Sequence, residues 1–259
     1  MAQEQQGLER AGGEVPIVWL HGAGMDRTVW MLAARDPDLP PVPSLALDLP
    51  GHGRSAAPGC DSIEDYAAFV AGVLDEMGIA RACLVGHSMG ALVALELALR
   101  QPARCVGLVL AGAAARMPVN PVLIEAALHD LPKAARMIAT FAVAPTGRLA
   151  APATPGIRLA GGGMALLAAS RPGVLARDLR ACDAARPEPV PLAMPALVVT
   201  GARDRMTPAA RGAELAAALS AGLARIEGAG HMMMLEQPAA FAAAVVPFLK
   251  GLQSSSRAR

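Results

Sequence analysis

The chain has 259 residues, 23 Lys and Arg against 22 Asp and Glu, and a net charge of +1. That length supports one large domain with a sizeable core. The near-neutral balance, with no basic stripe or aromatic–basic interleaving, argues against nucleic acid as a partner, and an apolar fraction of 54% broken by Gly, Pro and charges argues against a membrane span.

Met1 to Glu14 is polar and lacks the apolar core of a signal peptide, so a cytoplasmic location is expected. Apolar, β-branched runs near 15–20, 43–48, 82–86, 106–110, 196–200 and 223–227 predict strands. Between them, helices are expected near 28–35, 62–78, 89–100, 209–220 and 237–251. This alternation predicts an α/β fold with a mostly parallel, doubly wound sheet. The tail from Gln253 to Arg259 is expected to be disordered. Cys60, Cys83, Cys105 and Cys182 have neither a disulfide-framework nor a C-x-x-C spacing, and Cys83 in a strand suits a small hydrophobe.

Between about 115 and 192 the alternation breaks. Short helices are expected at 121–128, 133–138, 163–169 and 174–179, joined by Pro- and Gly-rich pieces. This segment reads as an inserted helical cap, which divides the chain into a core of 1–114 and 193–259 and a cap of 115–192.

Gly86-His87-Ser88-Met89-Gly90 stands between the strand at 82–86 and the helix at 89–100. A serine there could be a helix N-cap. The G-x-S-x-G pattern at a strand-to-helix junction is also what a nucleophile elbow requires. The rest of the chain favours the second reading. Asp204 follows the strand at 196–200, and His231 follows the strand at 223–227, which gives the chain order Ser, Asp, His. His231 is the only histidine after Asp204. Asp183 and Glu188 lie upstream of that strand, and the strand at 106–110 is followed by no carboxylate. The Met89 N–H, next to the nucleophile, would hold the oxyanion. Of the other histidines, His87 beside Ser88 suits packing or hydrogen bonding, His21 suits fixing the loop after the first strand, His52 a glycine-rich turn, and His129 the surface. No His/Cys/Asp cluster has metal-ligand spacing, so no metal and no cofactor is expected.

Five motifs in order resemble the α/β-hydrolase superfamily: His21-Gly22-Ala23-Gly24, Asp48-Leu49-Pro50-Gly51-His52-Gly53-Arg54-Ser55, the elbow, Gly201-Ala202-Arg203-Asp204 with Pro208, and Gly230-His231 with Glu236 and Pro238. The resemblance implies Ala23 as the second oxyanion donor. The superfamily commonly opens with an antiparallel strand pair. Only 14 residues precede the first clear strand here, so the pair is expected to be missing or reduced to one edge strand within 4–14, leaving six to seven strands. Serine at 88 separates the chain from the dehalogenase and epoxide-hydrolase branches, which use aspartate.

The expected substrate pocket is apolar, with Met25, Trp30, Met137, Phe141, Leu166, Met206 and Met232 as candidates. The function expected is a serine carboxylesterase acting on small to medium esters. The same triad also suits a C–C bond hydrolase, a lactonase, a thioesterase or a cofactor-free perhydrolase, and the scaffold alone suits a non-catalytic ligand receptor. The sequence leaves the oligomeric state open.

Overall fold

A computed structural model describes residues 14–144 and 159–257. Its six strands are β1 (Ile17–Leu20), β2 (Ser44–Leu47), β3 (Ala82–His87), β4 (Cys105–Ala111), β5 (Ala196–Gly201) and β6 (Gly222–Ile226). They form one parallel sheet in the order β2-β1-β3-β4-β5-β6. The chain thus starts near the middle, winds outward to β2, then reverses through β3 toward β6. Parallel strands need crossovers, and the crossovers cover both faces. The expected opening strand falls almost wholly outside the described residues.

Successive side chains of a strand point to opposite faces, and the core divides accordingly. Val18, Leu20, Leu84, Leu108 and Val198 point to one face. There they meet α1 (Ile63–Glu76), α2 (Met89–Arg100) and α7 (Ala209–Leu219). Ile17, Trp19, Val85, Val109 and Val199 point to the other face, under α9 (Pro238–Arg257) with its Phe241, Val245 and Leu249.

The alternation breaks between β4 and β5, as the sequence predicts. Among the described residues four helices lie there: α3 (Pro121–His129), α4 (Leu131–Ala142), α5 (Leu159–Ala168) and α6 (Val174–Ala184). Ala134, Ala135 and Ile138 of α4 and Leu175 of α6 are buried in the same apolar cluster as Trp19 and Val199. The short helix α8 (Met233–Glu236) completes the set. Among the described residues no helix is long and apolar enough to cross a membrane.

Two expected elements differ. The helix expected near 28–35 is two 3-10 turns, Arg27–Trp30 and Ala33–Arg35. The segment is short and Pro37 follows it, so tight i-to-i+3 bonds such as Met31 N–H to the Thr28 carbonyl (3.0 Å) close it instead. The tail is also ordered further than expected, since α9 runs to Arg257. Gln253 anchors it: its amide donates to the Val15 carbonyl at 2.8 Å and accepts from the Val15 N–H at 3.0 Å, in a buried position.

Candidate active site

Among the described residues, Ser88 and Ser220 are the two non-glycine residues with a positive φ. Ser88 adopts φ 52° and ψ −117°, a region that side-chain-bearing residues rarely occupy. The neighbouring glycines are required by contact. A Cβ on Gly86 would stand 2.2 Å from the Gly90 carbonyl oxygen, and one on Gly90 would stand 2.3 Å from the Leu20 carbonyl oxygen. Ser88 takes the cap position of α2, yet its side chain makes no capping hydrogen bond. The strain therefore serves the presentation of the side chain rather than the helix end.

Asp204 sits in the loop after β5. Its Oδ1 accepts from the N–H groups of Met206 and Thr207, both at 2.8 Å, which fixes the carboxylate. Its Oδ2 lies 2.8 Å from Nδ1 of His231. Both side chains are buried. A nitrogen facing a carboxylate oxygen carries the proton, so the neutral ring keeps Nε2 as its bare, basic nitrogen.

The His231 loop is gripped from three sides. Glu236 accepts from the N–H groups of Gly230 (3.0 Å), Met232 (3.1 Å) and Ala144 (2.8 Å). Burial raises the Glu236 carboxyl above its ordinary range, against the pull of those three donors. The Ala142 carbonyl at the end of α4 accepts from the His231 N–H at 2.7 Å. His87 Nε2 donates to the His231 carbonyl at 3.0 Å, which leaves Nδ1 as the acceptor nitrogen of a neutral ring. Burial, followed by the proximity of His231, pushes the His87 pKa well below its ordinary value.

The loop after β1 is held by a second network. His21 accepts from the Leu49 N–H at Nε2 (3.0 Å) and faces the Gly22 carbonyl at Nδ1 (2.9 Å), so one nitrogen accepts and the other donates. The ring is neutral, and burial lowers its pKa to about 4. The neighbouring Asp48 accepts from the N–H groups of Arg27 (2.9 Å) and Arg54 (3.0 Å) and pairs with the Arg27 guanidinium. Burial works to raise the Asp48 pKa, but those N–H groups and the Arg27 charge hold it below its ordinary value.

Asp178, on α6, is the residue that the sequence reading missed. It is fully buried and accepts three hydrogen bonds. Tyr66 O–H donates at 2.6 Å, His52 Nε2 at 2.8 Å, and the Gly24 N–H at 2.8 Å. An inserted helix thus reaches the backbone next to Ala23. One signal was available in the sequence: Asp178 falls on the apolar stripe formed by Val174, Leu175, Leu179 and Cys182.

Ser88 and His231 line one small cavity of about 80 Å³, together with Ala23, Met25, Met206 and Met232. Met89 contributes no side chain to it; the side chain is buried in the core, and its N–H is the first of α2, without an intrahelical acceptor. Leu166 lines an adjoining cavity instead. Three expected pocket residues lie elsewhere. Trp30 is fully buried, packed against Trp19, Phe241 and His87 at ring distances of 5.1, 6.1 and 6.4 Å. Met137 packs against the apolar cluster as a half-buried residue, and Phe141 is exposed under the Arg205 guanidinium at 4.6 Å. The reason is helical phase: Ala134, Ile138 and Ala142 form the inward stripe of α4, and Ile138 and Ala142 are the residues that line the cavity. Among the described residues no three His, Cys, Asp or Glu side chains gather as a metal site.

This chain belongs to the α/β-hydrolase family, whose model matches residues 17–244. Among solved structures it is similar to the enol-lactonase from Burkholderia xenovorans LB400, with a TM-score of 0.83, 29% identity and 93% of each chain covered. A thermophilic esterase gives a TM-score of 0.77 at 28% identity, over 92% of this chain and 91% of that one. Curated relatives match over shorter stretches. The 2-succinyl-6-hydroxy-2,4-cyclohexadiene-1-carboxylate synthase of Serratia proteamaculans is 38% identical over 44% of this chain and 42% of its own length. Lipase LipV of Mycobacterium tuberculosis is 35% identical over 38% of this chain and 37% of its own. The chain thus spans under half the length of these curated relatives.

Proposed function

We propose that this hydrolase cleaves small to medium carboxylic esters through an acyl-enzyme. The observation that carries the reading is the Asp204–His231 pair, fixed at 2.8 Å, opening on the cavity that also holds Ser88 on its strained turn. In this reading His231 Nε2 takes the Ser88 proton as Oγ attacks the ester carbonyl, and Asp204 stabilises the resulting imidazolium. The N–H groups of Met89 and Ala23 hold the oxyanion of the tetrahedral intermediate. His231 then protonates the departing alcohol. Water, deprotonated by the same ring, releases the acyl group.

The helices of 115–192 act in this reading as a cap that shapes the pocket. Hydrolysis of a lactone is the second reading, since the bond broken is the same and the fold is similar to that of an enol-lactonase. The test is a panel of p-nitrophenyl esters, lactones and thioesters, run with Ser88→Ala as the control and fluorophosphonate labelling as an independent probe of the serine. Turnover that survives Ser88→Ala, or a native protein that resists labelling, would remove Ser88 as the nucleophile.

A further inference from the structure

The cavity at Ser88 has a volume of about 80 Å³. It does not end there. Met25, Ile138, Ala142 and Met232 form a wall shared with a second cavity of about 270 Å³. Among the described residues, the side chains lining that chamber, Val29, Leu166 and Leu167 among them, carry no charge, and Thr28 supplies the only hydroxyl. A cavity of about 150 Å³ lined in this way accepts a benzene ring, so this one has room for roughly six to ten carbons.

Two glycines of α5 border the chamber. Gly162 and Gly163 sit inside that helix and line the chamber. Glycine is among the poorest helix residues. Neither position needs it for conformation, because neither has a positive φ, and a Cβ at either would meet nothing within 4 Å. Gly162 is exposed and Gly163 half-buried, so a longer side chain at 163 has open space to grow into beside the chamber.

A third cavity, of about 670 Å³, adjoins the Ser88 cavity through different walls, Met117, Pro118, Met206 and Thr207. Arg116, Arg211 and Glu214 line it.

We infer that the substrate is an amphiphilic ester: one arm is an uncharged chain of about six to ten carbons that enters the chamber past Met25 and Met232, and its polar remainder lies toward Arg116 and Arg211. This rests on the ester-hydrolase reading above. The described lining is apolar, which disfavours a terminal carboxylate on the chain.

The test compares native protein with Gly163→Leu, whose fold is checked by circular dichroism and thermal melting. The substitution favours the helix while filling the chamber. Two ester series are measured, p-nitrophenyl acetate to octanoate and ethyl to octyl acetate, so that the chain is varied first on the acyl and then on the alcohol arm. Binding of 1-octanol is followed separately by calorimetry. In one series, the native protein should prefer the eight-carbon arm over the two-carbon arm in kcat/KM, and Gly163→Leu should lower that ratio at least tenfold and weaken octanol binding. The p-nitrophenyl monoester of octanedioic acid should lose the preference. If the esters turn over but neither ratio nor octanol binding responds to Gly163→Leu in a folded protein, the chamber does not receive the chain. If no ester turns over while octanol still binds in a Gly163-dependent way, the hydrolase reading fails and the substrate assignment falls with it.

Discussion

The molecule contains two buried aspartate–histidine pairs of the same length, and only one of them lines the Ser88 cavity. Asp204 and His231 lie 2.8 Å apart, as do Asp178 and His52. The difference lies at the second ring nitrogen. His52 Nδ1 stands 3.0 Å from the Pro50 carbonyl, so both of its nitrogens face acceptors and both must donate. That ring is an imidazolium: burial works to lower its pKa, but the hydrogen bond and charge of Asp178 override it and raise the value above 6.5. It is a closed ion pair with no proton to take. His231 spends one nitrogen on Asp204 and lines the cavity of Ser88 with the ring. An Asp–His pair becomes a base only when the far nitrogen is left free.

Substitution of the two aspartates should separate them. Ser88→Ala and Asp204→Asn are expected to lower kcat by about 10³- to 10⁴-fold, with melting temperature little changed. Steady-state kinetics on an ester beside a thermal melt checks both halves. Asp178→Ala should do the opposite, costing roughly 3–5 kcal/mol of stability by leaving the His52 charge, Tyr66 O–H and the Gly24 N–H buried without their partner. Denaturant unfolding measures it. Were Asp178→Ala as stable as the native protein, the closed pair would be ornamental.

The pH dependence of stability sharpens the contrast. His52 has a folded pKa raised above 6.5, so its contribution is complete below 6.5 and is lost as the pH rises through the folded value. His21 behaves inversely. Its pKa falls from 6.5 to about 4, so its contribution is present above 6.5 and is lost as the pH falls toward 4. His52→Asn should therefore flatten the alkaline side of the stability curve and leave the acid side sloping. Unfolding free energies from pH 4 to 9 decide this, and an unchanged alkaline slope would refute it. The smallest effect is expected from Arg205→Ala. The guanidinium over Phe141 lies outside both pairs, so the loss should be about 0.5–1 kcal/mol with kcat intact.

The sheet was legible because a parallel strand buried on both faces leaves a continuous apolar run, and six such runs stand out. Ser88, Asp204 and His231 were legible through chain order and through the glycines that a sharp turn demands. Asp178 was not, because its partners Gly24, His52 and Tyr66 lie more than 100 residues away and meet it only once α6 packs down. Phe141 and Met137 were misplaced for a smaller reason. Lys133, Arg136 and Thr140 mark the outer face of α4, and Met137 and Phe141 fall beside that face while Ala134, Ile138 and Ala142 turn inward; one position decides between Met137 and Ile138. The tail was misjudged because three serines look solvated, while Gln253 just before them satisfies two backbone groups of Val15.

That last contact has a practical side. Val15 stands two residues before β1 begins, at the amino-terminal edge of the sheet, and Gln253 is pinned against it. Ser88, Asp204 and His231 all follow the carboxyl ends of their strands, at the opposite edge. A label or support coupled next to either residue would join the molecule on the side away from the Ser88 cavity.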